Sequence, residues 1–138
     1  MSLVQELEVR VRDIPDVRYT LGRGSIAIVP EHRGGFTISV RESAGSGRRR
    51  YRVDFDRWHA AFETESEALA CVAAGLSGDY RLRVSQRGGR PYRWTLEGYD
   101  EGLWRVASTV TRPVHRFWGV REILYLKNRL TCPVKVDA

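Results

Sequence analysis

The chain has almost no lysine. Of its 23 basic side chains, Lys127 and Lys135 are lysines and the other 21 are arginines. A GC-rich coding sequence skews composition this way, and so does phosphate binding, which favours the planar guanidinium. Cysteine is scarce as well. Cys71 and Cys132 form no C-x-x-C pair, so neither a disulfide framework nor a zinc site is indicated. Long apolar runs are missing. Ala68 to Leu76 is a typical stretch, well short of the roughly 20 residues a membrane helix needs. The opening Met1-Ser2-Leu3-Val4-Gln5-Glu6 has no basic region followed by an apolar one, so no secretory signal is predicted. These absences set the expectation of a cytoplasmic protein without a membrane partner.

Catalytic signatures are also lacking. There is no G-x-S-x-G elbow and no G-x-x-x-x-G-K loop. Gly22-Arg23-Gly24 and Gly88-Gly89 are too short to cradle phosphates and read as turns. Asp54, Asp56 and His59 spell D-x-D-x-x-H, but they straddle a strand end, a turn and the next strand, with no fourth ligand. No metal and no cofactor is expected. His32 and His115 stand in a turn and at a predicted helix start, with no nucleophile motif beside them.

What is present is a globular composition in a chain of 138 residues, long enough for one domain with a core. Leu3, Val4, Leu7, Val11 and Ile14 recur at helical spacing, and Pro15 stops that helix. Two short extended segments follow within residues 1–30. Period-two alternation then takes over: Phe36, Ile38 and Val40; Tyr51, Val53 and Phe55; Trp58, Ala60 and Phe62. Thr64-Glu65-Ser66-Glu67 has the capping-box form and opens a helix through Leu76, with Gly75 suited to its end. Tyr80, Leu82 and Val84, then Tyr92, Trp94 and Leu96, then Trp104, Val106 and Ser108 alternate in the same way. Val120, Ile123, Leu124 and Leu126 predict a second helix over 118–129.

The predicted fold is therefore a single α+β domain. It has a mainly antiparallel sheet built from two βββα units, 36–76 and 80–130, with helices on one face. An N-terminal helix and two short strands precede them, and a tail follows from 131 to 138. Tyr92-Arg93-Trp94-Thr95-Leu96, set before a glycine turn, a further strand and a predicted helix, resembles the YegP-like proteins. Those are small bacterial and archaeal proteins of repeated ββ(β)α units. The resemblance covers Arg81 to Leu126 and, more faintly, residues 36–76. It implies a fold and no activity.

Alternation sorts side chains between two faces. Phe36, Tyr51, Val53, Phe55, Trp58, Phe62, Leu82, Trp94, Leu96, Trp104 and Val106 are predicted to point at the helices. Arg41, Arg50, Arg52, Arg81, Arg83, Arg93 and Arg105 then share the open face. With a net charge of +6, such a face attracts an acidic protein or a nucleic-acid backbone. Surface charge most often serves solubility alone, and sheet-based RNA readers need exposed aromatics, which this sorting buries. Arg48-Arg49-Arg50 makes a basic hairpin tip that reads more simply as a solvated loop. The expected function is non-catalytic binding through the arginine face. The alternative is a small-molecule or enzymatic pocket lined by Trp58, Trp94, Trp104 and His115. Trp118, beside Phe117, His115 and Tyr125, points to a second buried contact of the predicted C-terminal helix, either with the N-terminal helix or with another chain, through self-association or a protein partner.

Overall fold

The computed structural model describes residues 2–31, 33–43, 50–112 and 119–128. Helix α1 spans Leu3–Val11. Ser2 caps it: the Gln5 amide donates to Ser2 Oγ at 3.2 Å, and the Ser2 amide donates to Gln5 Oε1 at 3.0 Å. The Val4 amide, another orphan donor of the first turn, donates to Glu42 Oε1 at 3.0 Å. That bond fixes the start of α1 to the sheet below. Leu3, Val4, Leu7 and Val11 are buried, and so is Ile14 beyond the helix end.

Five strands follow in a plain antiparallel meander: β1 (Val17–Gly22), β2 (Ser25–Pro30), β3 (Ile38–Glu42), β4 (Tyr51–Phe55) and β5 (Trp58–Phe62). Asp56 makes the tight β4–β5 turn at φ 55°, a conformation that Asp tolerates better than branched residues do. Helix α2 (Glu65–Leu76) then crosses the inner face of this sheet. Thr64 Oγ1 accepts from the Glu67 amide, and its hydroxyl donates to the Glu67 carboxylate at 2.8 Å. Gly75 serves packing inside the helix. A Cβ there would run into the Phe55 ring, and the C-cap is Ser77.

The second half forms a separate four-stranded antiparallel sheet. Its strands are β6 (Tyr80–Arg87), β7 (Arg90–Asp100), β8 (Leu103–Thr111) and β9 (Arg121–Leu126), in the order β8-β7-β6-β9. Three hairpin-linked strands and a fourth that returns beside the first make a Greek key. This corrects the expectation of a helix at 118–129, because residues 121–126 are a strand paired with β6. The repeated βββα description fails at the same point. The first half ends in a helix and the second half in a strand. The chain is α+β with two sheets in place of one.

The inner faces share one core. Ile26, Ile28, Ile38, Val40, Val53 and Phe55 come from the first sheet, and Leu82, Val84, Trp94 and Leu96 from the second. Each such side chain contributes about 1.5–3 kcal/mol by leaving water. Asn128, just past β9, is wholly buried and stitches the halves together. Its Nδ2 donates to Gly75 O at 2.9 Å and to Phe36 O at 3.2 Å, while its Oδ1 accepts from the Phe36 amide at 3.1 Å. The neighbouring Lys127 amide donates to Gly34 O at 2.7 Å.

Asn128→Ala strands three buried backbone groups, each worth about 1–3 kcal/mol when unpaired. The chain is expected to lose on the order of 3 kcal/mol or more, read as a lower denaturation midpoint. Asn128→Asp places an acceptor against two carbonyls. Its deficit should shrink as pH falls and the carboxyl becomes a donor. If both variants unfold with the parent, the stitching role is wrong.

Cys71 is partly exposed as a residue, yet burial pushes its thiol pKa up to about 12. Four units below that, at pH 8, only about one thiol in ten thousand is ionised. In a Cys132→Ser background, alkylation at pH 8 should be slow in the folded chain. It should accelerate by orders of magnitude in denaturant. Rapid labelling under native conditions would contradict this placement.

Candidate binding surface

The outward side of the second sheet is set by one irregularity. Along β6, Leu82 and Val84 point inward, so Arg81 and Arg83 point out. Along β7, Trp94 and Leu96 pair with Val84 and Leu82 and share their side. The β7–β8 register then slips: Leu96 faces Ser108, but Glu97 faces Val106. Ala107 is the extra residue of a β-bulge, and an extra residue exchanges the two faces of everything beyond it. Trp104 and Val106 therefore stand on the side of Arg81 and Glu97. Arg105 passes to the other side, where it lies 3.8 Å from Asp100. The expectation that Trp104 and Val106 point inward and Arg105 outward is reversed.

On this outward side an acid is buried beneath cations and rings. Arg81 Nε donates to Glu97 Oε1 at 2.7 Å, and Arg83 Nη1 lies 3.4 Å from Glu97 Oε2. The Arg81 guanidinium sits between two rings, 4.3 Å from the Trp104 centroid and 4.2 Å from that of Tyr125. Trp104 reaches across β7 to make that contact. Lys127 Nζ approaches the same indole at 5.5 Å, and Tyr99 meets it edge-on at 5.2 Å. The Glu97 side chain is left 5% exposed. Around this cluster the surface is open, with Tyr99, Val106, Ile123 and Tyr125 about half exposed or more. Arg93 is exposed on the same side, and alternation along β9 adds Arg121.

The seven arginines picked out by alternation do not share one face. Arg81, Arg83 and Arg93 belong to the outward side just described, and Arg105 does not. Arg41 and Arg52 stand on the outer side of the first sheet, and exposed Arg50 precedes β4. Arg52 is engaged by Asp54 at 2.8 and 3.2 Å, which raises the guanidinium pKa above its ordinary value. Two sheets divide what one sheet would have gathered.

The tryptophans expected to line a pocket are dispersed. Trp58 is buried and stacked on Phe55 at 4.9 Å. Trp94 is buried in the second sheet, where it borders a depression of about 310 Å³ shared with Asp54, Asp56 and His59. Trp104 stands on the opposite side of that sheet. Among the described residues, no group of three His, Cys, Asp or Glu is arranged to hold a metal ion. His32, Arg48, Arg49, His115, Phe117, Trp118, Cys132 and the 131–138 tail lie outside the described residues.

Sequence reasoning missed Tyr99, Tyr125 and Lys127 as members of the surface. Alternation does place Glu97 on the outward face beside the arginines, and it pairs there with Arg81. Comparison with family models, curated proteins and solved structures returns no match.

Glu97→Gln removes the charge that holds Arg81 and Arg83 together and should lower stability by about 1–3 kcal/mol. Arg81→Ala should cost more than Arg83→Ala, because its contact is shorter and is stacked between rings. Arg81→Lys should recover little, since an ammonium cannot stack as a plane. Denaturant midpoints for the four variants test this order. Equal losses for Arg81→Ala and Arg83→Ala would show that the sandwich contributes nothing.

Proposed function

We propose that this chain is a non-catalytic binding module that takes single-stranded nucleic acid on the outward side of its second sheet. The carrying observation is the grouping of cations and rings there: Arg81 contacts the partly buried Trp104 and the half-exposed Tyr125, Lys127 and Tyr99 meet the same indole, and Arg93 is exposed further along β7. Single strands are gripped by the same two elements: rings on which unpaired bases stack, and cations that follow the phosphates. An acidic protein would engage the arginines and make no use of the half-exposed Tyr99 and Tyr125. A duplex keeps its bases stacked inside and offers them nothing.

Among the cations, Arg93 is the better probe of contact. Arg81 is engaged by Glu97, so replacing it disturbs folding and binding together. Arg93 has no carboxylate partner among the described residues.

Fluorescence anisotropy with a labelled oligothymidylate should show binding that weakens with salt. A log–log slope of about −2 is expected if roughly three phosphates are neutralised. Trp104→Ala and Arg93→Glu should each lower affinity about ten-fold, since a base–ring stack is worth about 1–3 kcal/mol. A duplex of the same length should bind more weakly. Unchanged affinity in Trp104→Ala removes the stacking reading. Equal affinity for polyglutamate would assign the face to acidic proteins.

A further inference from the structure

The outer side of the first sheet carries a second concave feature, independent of the face above. Three neighbouring strands place small side chains side by side there: Thr20 opposite Ala27, and Ala27 opposite Ser39. With Ser25 they floor a depression of about 490 Å³, bounded on one flank by Arg41 and Arg52. That volume falls within the range of small-molecule sites, about 300–1,000 Å³.

Charge placement at the rim is the informative part. Arg41 and Arg52 face each other directly across β3 and β4. Like charges opposite one another on adjacent strands are destabilising. The structure relieves one of them. Arg52 turns to Asp54 and makes two bonds to its carboxylate. Arg41 has no hydrogen-bond or ion-pair partner among the described residues, and neither do the hydroxyls of Thr20, Ser25 and Ser39. An exposed guanidinium without a partner among the described residues thus stands beside a floor of hydroxyls. The Asp54 carboxylate, neutralised by Arg52, does not repel an anion there.

We infer that this depression binds a small phosphomonoester, held by Arg41 through charge-assisted hydrogen bonds, with Ser25, Ser39 and Thr20 meeting its oxygen atoms. Guanidinium matches a phosphate edge with two parallel donors. Hydroxyls both donate and accept, so they suit phosphate oxygens and the hydroxyls of an attached polyol equally. The site is shallow and half open, so inorganic phosphate alone should bind in the millimolar range and an attached polyol should add affinity.

The test is amide NMR of the full chain, titrated with inorganic phosphate, glycerol phosphate and neutral glycerol at constant ionic strength. Saturable shifts should centre on Ser25, Ala27, Ser39 and Arg41, and glycerol phosphate should bind more tightly than phosphate. Arg41→Gln should weaken both about ten-fold, the loss of one charge-assisted contact to phosphate. Ser39→Leu, which fills the floor, should abolish the glycerol phosphate advantage. Arg93→Glu, on the other sheet, should change nothing, so failure here is distinguishable from failure of oligonucleotide binding. The assignment is overturned by an unaltered affinity in Arg41→Gln, by equal shifts with neutral glycerol, or by shifts without saturation.

Discussion

Ala107 decides which side chains of the second sheet meet water. Unbroken alternation from Ser108 would put Arg105 on the side of Arg81 and Trp104 on the other. The bulge inverts that order from Val106 back to Leu103. Trp104 then finds Arg81, and their stack with Tyr125 roofs the Glu97 carboxylate. A buried acid on an outward sheet face is tolerable only when its oxygens are engaged by cations held in place. The bulge supplies the ring that holds one of those cations. The ion pair, the aromatic exposure and the character of the surface thus rest on one local register shift.

The same logic explains why part of the chain was legible and part was not. Both helices of the first half were readable, because the apolar spacing is helical in each and Thr64 opens a capping box, although the first ends at Val11, short of Pro15. The strands were readable through alternation and through turn residues such as Asp56 and Gly88-Gly89. The segment 121–126 was not. Val120, Ile123, Leu124 and Leu126 fit helical spacing, yet Ile123 and Tyr125 alternate with Leu124 and Leu126 just as well. A short apolar run fits both periods, and its partner strand decides. That partner, β6, lies some forty residues earlier. The bulge was invisible for a related reason: register belongs to a pair of strands, and neither strand carries it alone.

Asn128 shows the cost of that non-local decision being met. β9 adds an edge to the second sheet, and its exposed Ile123, Leu124 and Tyr125 bury little there. Burial of β9 is therefore a modest force, and docking of the residues that follow it matters correspondingly more. Asn128 satisfies both backbone groups of Phe36 and the Gly75 carbonyl, which lie in the loop before β3 and in the last turn of α2. One amide thus closes the chain on both the meander and the helix. Its position near the described C-terminal end, in a polar stretch, gave no sequence cue that it would be buried.

Arginine abundance takes on a different meaning once each guanidinium is placed. Arg10 and Arg12 lie one helical turn from Glu6 and Glu8, and Arg18, Arg52 and Arg105 each face one acid at the surface. Such exposed pairs contribute little to stability, roughly 0–1 kcal/mol each. Arg81 and Arg83 are different, because the acid they share has left water. Their charge is largely spent on Glu97, and the field that reaches an approaching anion comes from those without a carboxylate. In the first sheet Arg41 is one such residue, and in the second Arg93 is another. Net charge alone ranks all of these side chains equally. Placement separates those engaged by an acid from those that are not, and Arg41 and Arg93 lie on different sheets: hydroxyls border Arg41, and the Tyr92 ring lies 5.7 Å from the Arg93 guanidinium.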